Sequence, residues 1–163
     1  MESPTTGADG AHVPHTGEIT AEHQIAWLAV HREYRRLRAL AEADEKFGAL
    51  AAAKEAYEEA AAKLSHANGG GDSLRWPRPA RDAMAAAGHA FDLAHTTHLI
   101  DYMNPCEAAA IALVTMPAPD LDAAIGKIAI VDAHELDQLT VFLGRSFAFI
   151  AADLARFAPG GAA

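Results

Sequence analysis

The sequence predicts an all-α protein, an antiparallel bundle of about five helices behind a disordered N-terminal tail. Three observations predict this fold class. Alanine, the strongest helix former, makes up about a quarter of the chain. Apolar residues recur at steps of three and four over most of its length, and no segment alternates as a strand would. The Gly- and Pro-rich connections are short, which favours antiparallel neighbours.

The predicted domain organisation is simple. We expect residues 1–18 to be a flexible tail, because they are rich in Pro, Thr and Gly and have no apolar period. Residues 19–159 are expected to form a single helical domain, followed by a flexible C-terminus at residues 160–163. The first ten residues lack the apolar centre of a secretory signal, and no apolar stretch is long enough to span a bilayer. A cytoplasmic protein without a membrane partner is therefore expected.

The first helix is predicted over residues 21–66, with Thr20 as its N-cap. Asp44 and Gly48 weaken the helical pattern in its middle. A break near residues 44–48 that forms a helical hairpin is the alternative. We favour one long helix, because its apolar residues fall on a single stripe.

A second helix is predicted over residues 79–103, after a loop that holds three consecutive glycines and the pair Trp76-Pro77. Asn104 and Pro105 then have the pattern of a new helix start, with Asn104 as the N-cap. We therefore expect the helix to bend or begin again at this point.

The last two helices are predicted from a cap and from apolar spacing. Asp120 follows Pro117-Ala118-Pro119 and is expected to cap a helix. The apolar stripe predicted for that helix consists of Leu121, Ile125, Ile128 and Val131. The closing helix is predicted from the most regular apolar spacing of the chain, at Leu139, Leu143, Phe147, Ile150, Leu154 and Phe157.

Composition excludes several classes of function. The net charge is -9 with the histidines neutral, which disfavours attraction to nucleic-acid phosphates. Cys106 is the only cysteine, which excludes an intrachain disulfide and a cysteine-based zinc or iron–sulfur site. The chain also has no glycine-rich phosphate loop. No cofactor is predicted.

Potential metal ligands recur every three residues along the second helix, at His89, Asp92, His95, His98 and Asp101. Helical bundles bind metals through ligands three or four residues apart, because such pairs project from one side of a helix. Each three-residue step turns about 300°, so only neighbouring ligands can share one ion. Asp92, His95 and His98 are the candidate metal set. The competing interpretation is a solvated stripe in which His98 is a hydrogen-bonded core residue.

Four arginines cluster on the first helix, at Arg32, Arg35, Arg36 and Arg38. They offer a candidate patch for a phosphate, a carboxylate or an acidic partner surface. Acidic residues nearby favour pairing within the chain instead. A DNA-associated regulator that uses this patch remains one functional alternative.

Several segments resemble a known group of proteins. These are Trp27 and Tyr34 on the first helix, the run Thr115-Met116-Pro117-Ala118-Pro119-Asp120-Leu121, the pair Lys127-Ile128, and the closing run Ala152-Asp153-Leu154-Ala155-Arg156. In this order the chain resembles small alanine-rich helical proteins of bacterial chromosomes and prophage-like regions. The resemblance implies a helical fold and supplies no catalytic residues.

The sequence favours a non-enzymatic helical interaction or oligomerisation module. Phe142 and Phe149 lie off the apolar ridge of the closing helix and need a second surface to cover them, so they are the candidate apolar interface. A protein partner or a second copy of the chain is expected. The alternative from another class is a metal-dependent enzyme or metal sensor that uses Asp92, His95 and His98.

Overall fold

The chain is all-α in the computed structural model, which describes residues 19–139 and 145–158. These residues contain no strand, so the predicted fold class is confirmed. The helices are α1 (Ala21–Phe47), α2 (Ala49–Ala67), α3 (Arg78–His98), α4 (Asn104–Thr115), α5 (Leu121–Ala133) and α6 (Ser146–Phe157). A 3₁₀ turn at Ser73–Arg75 precedes α3, and a π-helical turn at Leu99–Met103 joins α3 to α4.

Residue contacts group the chain into two compact units, where the sequence predicts one domain. Among the described residues, unit 1 combines residues 19–28 with residues 112–139 and 145–158, and unit 2 is residues 29–111. The apolar period of a helix does not say which helices share a core, so this division has no signal in the sequence. The predicted tail at residues 1–18 and the C-terminus at residues 160–163 lie outside the described residues.

The prediction of one unbroken helix over residues 21–66 is wrong, because α1 and α2 are separated at Gly48. The Asp44 carboxylate accepts a hydrogen bond from the backbone N–H of Ala49 at 2.8 Å. Helical backbone bonds flank the break: Gly48 N–H donates to the Asp44 carbonyl, and Ala52 N–H donates to the Gly48 carbonyl. In the described part α1 and α2 are not among the helix pairs that pack extensively, so the alternative of a helical hairpin does not form there either.

Unit 2 is built on the packing of α2 against α3. The rings of Tyr57 and Phe91 stack with centroids 5.6 Å apart. The predicted glycine loop joins the two helices, and its three glycines adopt positive φ angles of 73–77°. Trp76 is buried at the end of this loop and donates its indole N–H to the Gly70 carbonyl at 3.2 Å. The loop is therefore both shaped by glycine and anchored by an aromatic side chain.

The expected restart at Asn104 takes a different form. Asn104 itself has helical angles (φ -61°, ψ -45°), so it is not an N-cap. The chain instead widens into the π turn at Leu99–Met103 and continues as α4. Pro105 has no N–H to donate to the carbonyl four residues before it. The π turn before Pro105 accommodates that unpaired carbonyl without breaking the helix.

Unit 1 contains α5 and α6, which pack against each other. The predicted cap of α5 is confirmed, since Asp120 accepts a hydrogen bond from Ala123 N–H at 2.8 Å. The closing helix begins at Ser146, later than predicted, because Leu136–Leu139 form turns and a bend. Leu143 lies outside the described residues.

Replacing Gly48 with alanine is expected to lower the free energy of unfolding by about 1–3 kcal/mol. A Cβ at Gly48 would lie 2.6 Å from the Asp44 Cα, so the capped break would have to shift. Gly88→Ala is the matched control: its Cβ would meet Tyr57 at an ordinary 3.9 Å. Alanine in a helix interior is favoured over glycine by about 0.5–1 kcal/mol, so this variant should gain stability. Urea unfolding of both variants checks the pair, and equal stabilities would contradict the role given to Gly48.

Candidate functional site

A buried lysine lies at the centre of unit 1. Lys127 is 1% exposed, and α5 carries it into the interior of the unit. Its ammonium donates to the Val114 carbonyl at 3.1 Å, to the Met116 carbonyl, and to Asp153 Oδ2 at 2.5 Å. All three ammonium protons therefore have acceptors, which is the condition for burying a charge without a large desolvation cost.

The partner carboxylate of Lys127 also holds the proline-containing connection before α5. Asp153 Oδ1 accepts from the backbone N–H of Ala118 at 3.0 Å and from Arg156 at 2.6 Å. Arg156 donates in turn to the Ala118 carbonyl at 2.8 Å. His23 donates from Nε2 to the Pro117 carbonyl at 2.8 Å. Side chains thus satisfy backbone groups that a turn between two helices leaves unpaired.

Burial lowers the pKa of Lys127, and the hydrogen bond and charge of Asp153 oppose this effect. A buried pair of this kind is weak evidence for net stability, because desolvation of both ions offsets their attraction. Removing one partner, however, leaves the other buried and poorly compensated. The faces of α5 and α6 that carry Lys127 and Asp153 must therefore both turn inward.

The buried ion pair reverses the face predicted for α5. The buried residues of this helix are Ala123, Ala124, Lys127, Ile130 and Val131. At 100° per residue, Leu121, Ile125 and Ile128 project roughly 100–160° away from Lys127. They are 46%, 51% and 45% exposed. Of the predicted stripe only Val131 is in the core.

On α6 the predicted stripe lies only partly in the core, where Ile150 is buried as predicted. The buried residues of α6 are Ser146, Ile150 and Asp153, which share one face with the buried ion pair. Phe147 and Leu154, which the sequence predicts to be in the core, are 52% and 36% exposed. We call Leu121, Ile125, Ile128 and Phe147 the apolar face of unit 1.

A groove of about 470 Å³ lies on this apolar face. Its lining residues are Ile125, Ile128, Ala129, Val131, Asp132, Asp137 and Phe147. The only charged residues among them are the two aspartates. Neither forms an ion pair with another residue in the described ranges. The groove is therefore apolar with an acidic edge.

The predicted metal residues are not brought together. Asp92 and His95 are exposed on α3, and the His95 ring lies parallel to that of Phe91 at 6.1 Å. His98 is buried and donates from Nδ1 to Asp44 Oδ2 at 2.8 Å. In residues 19–139 and 145–158 no group of three His, Cys, Asp or Glu side chains is arranged to hold a metal ion. The structure agrees with the competing interpretation of His98 as a hydrogen-bonded core histidine.

His98 and Asp44 form a second polar centre, in unit 2. The Nε2 atom of His98 has no hydrogen-bond partner and lies 3.5 Å from Glu45 Oε1. The Tyr102 ring, which lies in the π turn, contacts the His98 imidazole edge-on, with the two ring centroids 5.7 Å apart. Partial burial acts to raise the pKa of the Asp44 carboxyl. Hydrogen bonds from His98 and from the Ala49 and Leu50 amides outweigh it, so this pKa is lowered.

Two arginines of the patch, Arg36 and Arg38, are paired with other described residues. Arg36 forms a two-pronged contact with Glu33, and Arg38 donates to Glu42 and to the Tyr34 hydroxyl. Arg32 and Arg35 are exposed on α1. A phosphate- or DNA-binding role would therefore have only part of the predicted patch available.

The candidate interface residues Phe142 and Phe149 have different outcomes. Phe142 lies outside the described residues, and Phe149 is half-buried on α6 and engaged in an interaction. Burial raises the pKa of the Cys106 thiol, which is opposite to the shift of a reactive cysteine. The pattern of apolar residues alone did not identify Lys127 or Asp153 as core residues, although both occur in the segments that carry the resemblance.

No helix among the described residues is both long and apolar enough to cross a membrane. Comparison of the chain with protein-family models, with curated proteins and with solved structures gives no significant match.

The first prediction from this site concerns the buried ion pair. Lys127→Met is expected to lower the free energy of unfolding by about 3 kcal/mol, because Asp153 and two carbonyls lose a donor in the interior. Lys63→Met is the control, since Lys63 forms only an exposed ion pair with Glu59 and should leave stability nearly unchanged. In urea unfolding, Lys127→Met combined with Asp153→Asn should cost less than the sum of the single changes. Additive costs would show that the two residues act independently.

The second prediction concerns Asp44 and pH. Its pKa is lower in the folded state, so the ionised carboxylate stabilises the fold above its ordinary pKa. That contribution is lost as the pH falls through the folded value. The stability difference between the parent and Asp44→Asn should therefore be largest near pH 7 and shrink below about pH 4. Urea unfolding at several pH values measures it. A constant difference for Asp44→Asn across this pH range would contradict the assignment.

Proposed function

We propose that this protein is a non-enzymatic helical interaction module that binds a partner protein through the apolar face of unit 1. The supporting observation is that α5 and α6 turn polar residues inward and leave Leu121, Ile125, Ile128 and Phe147 about half exposed. Contiguous exposed apolar side chains on a folded protein are typical of an interaction surface. The expected interface thereby moves from Phe142 and Phe149 to these four residues.

The spacing of the exposed residues supports a helix-binding mode. Leu121, Ile125 and Ile128 follow one another at four and three residues along α5, so they form a continuous ridge. Phe147 supplies the opposite wall of the groove from α6. An amphipathic helix laid in such a groove places its own apolar residues against both walls.

We also propose an antiparallel helix arrangement in unit 2, a cytoplasmic location and a family kinship. An antiparallel arrangement of unit 2 is supported by two contacts, between Asp44 and His98 and between Tyr57 and Phe91. As the chain advances from Asp44 to Tyr57, the contacted residue moves back from His98 to Phe91. We infer a cytoplasmic location from the composition of the sequence. We also infer kinship with the alanine-rich bacterial and prophage-region proteins. Lys127, Asp153 and Arg156 fall in the segments that carry the resemblance, which gives those segments a structural role in this chain.

A photo-cross-linking experiment tests the proposed function. A photoreactive amino acid in place of Ala129, which lines the groove, is expected to give a discrete cross-linked species in the native host. The species should disappear when Ile125 and Ile128 are both changed to serine. The same label at Leu93, an exposed leucine of unit 2, is the control and should not give it. If residue 129 cross-links no more than residue 93 does, the apolar face is not an interaction surface.

A further inference from the structure

We infer that the occupant of the groove is an amphipathic helix of a partner protein that carries Lys or Arg beside its apolar stripe. This inference rests on the proposed function and adds the chemistry of the partner. The groove presents apolar walls and, at its edge, only negative charge from Asp132 and Asp137.

The position of the two aspartates supports a specific role in recognition. Asp132 lies on the same side of α5 as Ile125 and Ile128, since it is seven residues from the first and four from the second. Asp137 follows in the turn after α5 and also lines the groove. A docked helix with cations flanking its apolar stripe would pair with both. Charges at the edge of an interface act mainly on partner choice and association rate.

Other occupants fit the groove less well. The segments at residues 1–18 and 159–163 contain no Lys or Arg, so neither supplies the complementary charge. Two copies of the chain that met through this face would each contribute the same two aspartates and no cation from the described lining of the groove. The net charge of -9 also disfavours this pairing.

A selection experiment with the full chain tests the charge preference. The probe is a displayed library of 18-residue helices with leucine fixed along one stripe and with Lys, Glu or Gln at each flanking position. Helices that also bind the Ile125→Ser, Ile128→Ser double variant are removed, so the remaining helices report on the groove. Lys is expected to be enriched over Glu by at least about tenfold at the flanking positions.

The selected peptide then provides a quantitative test. Its affinity should fall about 3- to 10-fold for the double variant Asp132→Asn, Asp137→Asn, which is the loss expected when two exposed ion pairs are removed. The loss should shrink at high salt because screening weakens such pairs. Leu93→Ser is the matched control and should bind as the parent does. Circular dichroism of each variant establishes that the helices are retained.

The possible failures are distinguishable. Selected helices without a preference for Lys, or an affinity unchanged in the aspartate variant, would overturn the basic partner while leaving the helix-binding module intact. A library that yields no helix able to discriminate the parent from the isoleucine variant would overturn the module itself. Light scattering that shows a dimer abolished by the isoleucine changes would make a second copy the occupant and overturn the basic-helix inference.

Discussion

The buried ion pair between Lys127 and Asp153 is the constraint on which unit 1 depends. A lysine that is 1% exposed requires an acceptor for each ammonium proton, and the observed rotation of α5 provides all three. The same carboxylate must face inward from α6 and bind the Ala118 amide. Helix rotation, helix pairing and the path of the connection are therefore set together. Arg156 completes the arrangement by bridging Asp153 and the Ala118 carbonyl.

The exposed apolar face follows from this choice. A helix has a limited circumference, so placing Lys127 and Val131 inward turns Ile125 and Ile128 outward. Exposing three aliphatic side chains in this way works against stability at about 25 cal/mol per Å² of apolar surface. A partner helix that covers them would recover that contribution. The folded state of unit 1 thus contains both the cause of the exposed surface and a physical reason for that surface to be covered.

Unit 2 uses one carboxylate in a similar double role. Asp44 accepts from Ala49 across the helix break and from His98 on α3. The first bond is local and shapes the break at Gly48, where a side chain would collide with Asp44. The second joins residues 54 positions apart and places a histidine in the interior. Because one side chain serves both contacts, the break in the helix and the burial of His98 depend on each other.

The sequence by itself determined the all-α class, the cap at Asp120 and the glycine loop, because caps, glycines and alanine-rich periods act over a few residues. It also marked Asp44 and Gly48 as a weak point. Only the tertiary structure decided that Lys127 and Asp153 lie inside while Ile125 and Phe147 lie outside. The peptide of α5 is apolar on nearly all sides, so its period allows several rotations of similar burial. The choice between them depends on acceptors contributed by Val114, Met116 and a helix far along the chain, which no local pattern contains.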